Sequence, residues 1–351
     1  MILLPLLAGC TPPEPPEACA PDDRDMLVVA STDFSTGAVS ALPLDGGAPL
    51  DPAAPAGGDP VVVALDDGSV ALLERGGADH LRLYEPGCWG APRLEVALGE
   101  ANPHDAVLHD GLLWLTLYEH DALWALDPED GERELELDLS GEADADGLPE
   151  ADRFVRRDGR LFVALQRLER PGWASPGGRV VEVDEAGVRA SHPVGPSPDL
   201  FPGADGLVVL TGLYGRADGA LSVLDPDTGE LVELLTEAEA GFDFVRYVET
   251  DGHAVLVGAA EDGSGRTLCR DLAGGAWIEG PSDAGWMVDA VAAGGVVWIG
   301  VRSGWGGPGV EPGLVALDPR TCRRVEGEAL LLEPYALAVR KATKRPGTRS
   351  P

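Results

Sequence analysis

The sequence predicts an all-β fold in which seven four-stranded sheets stand in a ring, and three observations carry that expectation. First, residues 102–140 hold four short apolar runs, at 106–108, 112–117, 122–126 and 135–139, parted by turn residues at 109–111, 119–121 and 127–131. Four antiparallel strands in about forty residues have the size of one propeller blade, and one blade alone cannot bury both of its faces. Second, the turns return. Asp127-Pro128-Glu129-Asp130-Gly131 recurs as Asp225-Pro226-Asp227-Thr228-Gly229 and as Asp318-Pro319-Arg320-Thr321, each after an apolar run. The hairpin glycines of Asp110-Gly111, Asp158-Gly159, Asp205-Gly206, Asp251-Gly252 and Gly294-Gly295 repeat at about 45 residues, the range of propeller repeats rather than of ankyrin or leucine-rich ones. Third, Glu333-Pro334-Tyr335-Ala336-Leu337-Ala338-Val339 reads like the start of every other blade (DPVVVAL, NPHDAVL, FDFVRYV, WMVDAVA), although it ends the chain. It is the innermost strand that the first blade lacks. The expectation is therefore a seven-bladed β-propeller closed by its C-terminal strand, which removes the free edge.

In chain order, residues 1–9 form a short apolar leader and Leu7-Ala8-Gly9-Cys10 resembles the lipobox of bacterial lipoproteins, with Cys10 as the acylated residue. The leader lacks the preceding Lys or Arg of a signal peptide, so part of it is expected to be missing. Residues 10–25 are Pro-rich, as a tether between lipid and folded body would be. Thr11 after the cysteine implies, by the same resemblance, the outer membrane. No other segment is long enough to span a bilayer.

The body, 26–339, divides into blades. Residues 26–34 and 38–44 form a hairpin with a short edge through Ala56, and this blade one takes its inner strand from the end of the chain. Blades two to seven follow at 59–99, 102–140, 148–195, 197–241, 242–285 and 286–332, with the connection 166–178 as the main insertion. Residues 340–351 are basic and without apolar periodicity, so a disordered tail is expected.

Besides Cys10 there are four cysteines, and an even number in an exported chain suggests two disulfides out of three pairings. Blade geometry puts Cys88 and Cys322 near bottom turns, Cys19 on the same side and Cys269 at the bottom of a third strand. Cys19–Cys88 and Cys269–Cys322 are the favoured pairs. No Cys-x-x-Cys spacing is present, which argues against zinc and thioredoxin chemistry.

The turns quoted above, the Asp-Gly hairpins, and Asp144-Ala145-Asp146-Gly147-Leu148-Pro149-Glu150 with the strand at 161–168 together resemble bacterial seven-bladed propellers of the YVTN type. More loosely, they resemble the streptogramin-lyase-like and quinoprotein-like propellers. The resemblance implies architecture over nearly the whole body and says little of activity. The tryptophan-docking repeats of quinone-cofactor enzymes are not visible.

Ligands of propellers meet the top face, where the inner strands begin. That face offers Asp59, His104, Asp105, Asp152, Asp199, Asp243 and Asp289 from the blade starts, and Tyr118, Glu119, His120, Arg167, Trp173, Tyr214, Arg216, Arg302 and Trp305 from the loops between second and third strands. A ring of carboxylates with scattered aromatics and arginines suits a binding funnel, while Asp at strand starts also caps turns. His104 and His120 with their acidic neighbours could hold a divalent metal or supply a general base. Glu142, Asp144, Asp146 and Glu150 place oxygens before a glycine as calcium loops do, without the spacing of an EF-hand; calcium and a solvated acidic loop both suit them. No nucleophile elbow, zinc-protease helix or phosphate loop occurs. A formal net charge of −34 argues against nucleic acid as a partner and against anionic membranes binding the body, although 44% hydrophobic residues allow a large core. The sequence thus reads as a monomeric, extracytoplasmic, lipid-anchored binding or scaffold module that meets an envelope protein or small ligand at its top face. The alternative is a metal-dependent lyase or hydrolase of the streptogramin-lyase-like type.

Overall fold

The computed structural model describes residues 23–342 apart from 86, 171, 214, 215, 217 and 304–311. The lipobox, Cys10, the tether up to residue 22, Cys19, Tyr214, Trp305 and the tail beyond 342 lie outside the described residues. Seven four-stranded antiparallel sheets form the body. Six follow chain order from inner to outer strand. In the seventh, Pro334–Arg340 pairs with Met26–Thr32, Val28 facing Ala338, and the sheet continues through Gly37–Pro43 to Leu50–Ala56. The molecule is a seven-bladed β-propeller whose last strand completes the first blade, as the sequence predicted.

The strands are apolar on both sides because each sheet is sandwiched between two neighbours. In Leu112–Leu117, the odd-numbered Leu113, Leu115 and Leu117 pack with Leu73, Leu81 and Leu83 of blade two, while Trp114 packs with Leu161 and Val163 of blade four. In Met26–Thr32, Met26, Val28 and Ala30 face blade two, and Leu27 and Val29 face blade seven. Each of the seven apolar clusters sits between one pair of neighbouring blades, so the core is a ring of interfaces rather than one centre. Truncating one such leucine to Ala would cost about 2–5 kcal/mol.

The closing joint between blades seven and one is polar as well as apolar. Arg302, buried in blade seven, donates to the carbonyls of Glu333, Pro334 and Thr32, and its guanidinium lies 4.7 Å from the Phe34 ring centroid and 5.7 Å from that of Tyr335. Three carbonyls from two chain ends meet one five-donor fork. At the other end of the joint the strand runs one residue beyond the expected start of the tail. Arg340 is fully buried and donates to the carbonyls of Gly68 and Arg24. A basic residue was read as tail because burial of an arginine depends on carbonyls supplied by distant turns, which composition does not reveal.

Cys269 and Cys322 are bonded, Cα to Cα 5.8 Å, tying blade six to blade seven as expected. Cys322 stands where Gly131 and Gly229 end the other two Asp-Pro turns, at φ +53° against +76° and +74°. In all three the amide of that residue donates to the carbonyl of the turn's Asp. A non-glycine residue is disfavoured there, and here the position serves the cross-link. Cys88 is also disulfide-bonded; its expected partner, Cys19, is outside the described residues. One helical turn, Glu237–Ala240, joins blades five and six where only strand and loop were expected; Thr236 and Glu239 cap it reciprocally.

Unfolding measurements test the closure and the cross-link. A chain ending at 332 leaves Met26–Thr32 as a bare apolar edge and is expected to lose its single cooperative melt; a retained melt would contradict closure as the source of stability. Cys269→Ser with Cys322→Ser keeps the ring but is expected to lower stability by about 2–5 kcal/mol, read by denaturant titration.

Candidate functional site

The inner strands do not run evenly past the central channel. Near the top, the register of four of them against their own second strand shifts: between Pro103 and Asp105, Ala151 and Phe154, Phe244 and Arg246, and Met287 and Asp289. The pairing of Pro334–Arg340 with Met26–Thr32 shifts at the same height, passing over Tyr335. These are β-bulges, which break strict alternation and re-aim side chains. Consecutive residues at these bulges, His104 with Asp105, Asp152 with Arg153, Val245 with Arg246 and Val288 with Asp289, border one cavity of 480 Å³ on the axis, to which the regular inner strands of blades two and five add Val61 to Ala64 and Asp199.

The charged residues of this wall alternate in sign from blade three to blade seven. Asp105 is followed by Arg153, whose Nε donates to Asp199 Oδ1 at 2.6 Å. Arg246 comes next, 3.5 Å from Asp199 Oδ2, and its Nε lies 2.6 Å from Asp289 Oδ1. The two terminal carboxylates also bind backbone: Asp105 Oδ2 accepts from the Phe154 amide at 2.8 Å, and Asp289 Oδ2 from the Leu337 amide at 2.6 Å. Each thereby staples its blade to the next. Blades one and two break the alternation, since their inner strands give the wall Ala336 to Val339 and Val61 to Ala64, with Tyr335 and Arg75 beside them.

Above the arc sits a second network. His104 Nδ1 is 2.7 Å from Asp152 Oδ1, Gln166 Nε2 donates to Asp152 Oδ2 at 2.8 Å, and the Tyr118 hydroxyl donates to Gln166 Oε1 at 2.6 Å. The Tyr118 ring stacks on His104 with centroids 4.2 Å apart. Burial holds His104 below the ordinary imidazole range. A neutral ring donating from Nδ1 leaves Nε2 as the nitrogen with a lone pair. Burial alone would raise Asp152, but the hydrogen bond and charge of His104, with Arg153 and Arg75, hold it at about 2. Across the mouth, Arg75 donates to Asp59 at 2.7 Å and to the Tyr335 hydroxyl at 2.8 Å.

Of the residues expected at the top face, the structure brings together His104, Asp105, Asp152, Asp199 and Asp289, with Asp59 joined through Arg75. Others stand apart. His120 packs on Trp124, 5.1 Å between centroids, and does not border the cavity with His104. Arg167 donates to the carbonyls of Gly177 and Ala143 and so holds the blade-four connection. Arg302 belongs to the closing joint, and Asp243 opens the inner strand of blade six beside the buried Glu237. The acidic run is tied up by protein donors: Asp144 accepts from the Asp146 amide, Asp146 from the amides of Leu148 and Arg170, Glu150 from the Leu168 amide, and Glu142 from the Ser191 hydroxyl. Among the described residues no three His, Cys, Asp or Glu side chains converge as a metal would need, here or around His104. Reading by residue type missed Arg75, Arg153, Gln166, Arg246 and Tyr335. A signal existed for two of them, because Arg153 and Arg246 precede Gly159 and Gly252 by the same six positions that separate Asp105 and Asp289 from Gly111 and Gly295.

No family model matches the chain and no curated protein does. Solved structures match throughout the fold at low identity. A protein from Lactobacillus plantarum is similar with TM-score 0.63 and 10% identity, over 90% of this chain and 99% of that one. Apo AztD from Citrobacter koseri is similar with TM-score 0.53 and 13% identity, over 90% and 97%. BamB from Moraxella catarrhalis gives TM-score 0.52 and 14% identity, over 90% and 86%. At these identities the likeness is one of fold.

The buried charges make the ring sensitive to substitution and to pH. Arg246→Met leaves the buried Asp289 without its cation, while Asp199 keeps Arg153, and is expected to cost about 3–5 kcal/mol in unfolding free energy, with unchanged stability the contrary result. Burial pushes Asp105 up to about 6 and Glu150 to about 7, so between pH 5 and 8 the folded chain binds protons that the unfolded chain has released. Stability should therefore fall as pH rises across that window. Asp152 acts in the opposite sense: its contribution stands above about pH 4 and is lost as the pH drops towards 2. Thermal melts should show a higher midpoint at pH 5 than at pH 8, and Glu150→Gln should flatten the difference.

Proposed function

We propose that this protein is an extracytoplasmic propeller, held to a membrane by lipid at Cys10, that works as a non-enzymatic binding or scaffold module through the top mouth of its channel. The observation that carries the reading is the gathering of side chains from bulged and regular inner strands around one 480 Å³ cavity, most of whose charges are held by ion pairs and hydrogen bonds. A preorganised polar wall with an apolar side is the usual build of a recognition site. The Cys269–Cys322 bond suits an oxidising compartment, and the acidic body turns the module away from nucleic acid. The Pro-rich segment serves as the tether, and the orientation follows from it: the described chain enters at Asp23 and leaves at Ala342, where the Ala342 amide donates to Asp25, both at the bottom, so the mouth points away from the anchor.

The second reading, a metal-dependent lyase or hydrolase, draws on one observation, the His104–Asp152 pair with Nε2 open to a ligand. The residues do not fit a metal, since His120 is elsewhere and no third ligand joins among the described residues, and the geometry supports no catalytic step through one.

Capture from envelope extracts separates the readings. The immobilised full chain should retain a binding partner that Arg153→Met with Asp199→Asn, checked for folding by circular dichroism, does not. An identical set retained by both would remove the channel from function. Metal analysis of the purified protein should find less than one equivalent; one equivalent per chain, lost in His104→Ala and kept in His120→Ala, would favour the enzyme.

A further inference from the structure

The alternating arc is incomplete, and its gap describes a ligand. The residue that follows the bulge is Asp105 in blade three, Arg246 in blade six and Asp289 in blade seven; in blade one it is Ala336, and the inner strand of blade two offers Val61 to Ala64, while Arg75 of the same blade is held at the mouth by Asp59 and Tyr335. The arc therefore begins and ends on a carboxylate, with an apolar wall between the ends. Asp105 and Asp289 are both at least nine-tenths buried and border the cavity. Asp289 has Arg246 as its cation, whereas Asp105 has no ion pair among the described residues and is satisfied by the amides of Ala106 and Phe154. Around the whole channel, five carboxylates, Asp59, Asp105, Asp152, Asp199 and Asp289, face three guanidiniums, Arg75, Arg153 and Arg246. A buried site short of positive charge favours a cation that can hydrogen-bond.

We propose that the channel takes an organic cation, a primary ammonium or guanidinium on a short apolar stem, whose charge completes the arc between Asp289 and Asp105 and whose stem lies along the Val61–Ala64 and Ala336–Val339 wall. Such a group donates to carboxylates and to the His104 Nε2 lone pair, while its methylenes bury against valine and alanine. The inference rests on the binding reading above and names the ligand class of the same site. The chain's net charge of −34 supports it independently, because an acidic field concentrates cations at a mouth and repels anions.

Isothermal titration of the full chain at pH 7.5 with n-pentylamine, agmatine, 1-pentanol and pentanoate tests the proposal. The two amines should bind at least tenfold tighter than the alcohol or the acid. Asp289→Asn should weaken amine binding at least tenfold. Because Asp289 also staples the closing strand, Asp105→Asn is the companion variant, both being checked for folding by circular dichroism: removing the other terminal carboxylate should likewise weaken amine binding at least tenfold, whereas a site for anions would take pentanoate more tightly. Pentanoate binding as tightly as pentylamine, no heat from either amine at millimolar concentration, or amine binding unchanged in both folded variants would each overturn it. If amines fail while capture of an envelope partner still depends on the channel, only the cation class falls; if both fail, the binding reading falls with it.

Discussion

Burial of both faces of every sheet is the constraint on which the rest of this structure depends. A blade such as 102–140 has leucines on one face and Trp114 on the other, and neither can be left in water. A linear stack would leave two outer faces bare. A ring leaves none, provided its two ends are joined, and here the joint is made by a strand from the far end of the chain. The Arg302 fork and the Asp289 staple are placed at that joint, where the last strand of the chain is held to the first only by non-covalent contacts.

Closing the ring creates a channel whose wall is made of inner strands seen edge-on. Regular strands would send alternate side chains into the neighbouring blade interfaces and leave mainly backbone on the axis. The bulges change this. By inserting one residue at the same height in several blades they bring charged side chains to the axis without disturbing the apolar alternation lower in the same strand. Thr116 shows how closely the blades are knit there: its hydroxyl accepts from the Asp105 amide and donates to the Asp152 carbonyl of the next blade.

The charges so gathered stabilise one another only as a set. Arg246 is largely withdrawn from water and Arg153 half-buried, and each has carboxylates on both sides. Removing one member leaves its neighbours stranded in a poor dielectric, which is why paired charges in a cavity are rigid and specific even when their net contribution to folding is small. The same rigidity suits recognition, since little side-chain entropy is left to lose on binding.

The sequence by itself indicated the propeller and its closing strand, gave seven blades to within one with approximate boundaries, and favoured the Cys269–Cys322 pair among three pairings. These depend on local signals: the period of the apolar runs, the Asp-Pro and Asp-Gly turns, and a C-terminal segment that matches other blade starts. It also placed His104, Asp105, Asp152, Asp199 and Asp289 at one end of the molecule, because strand starts share a face in any ring. Only the tertiary structure decided which of these meet. Residues about 48 positions apart, Asp105 with Phe154 or His104 with Asp152, become neighbours through ring geometry. His120 was separated from His104 by the packing of its ring on Trp124, and Arg302 and Arg340 were drawn into the closing joint by carbonyls from remote turns. Bulges decided much of the rest, since an extra residue re-aims the side chains at the top of a strand while leaving intact the apolar alternation below it, which is all that a sequence pattern shows.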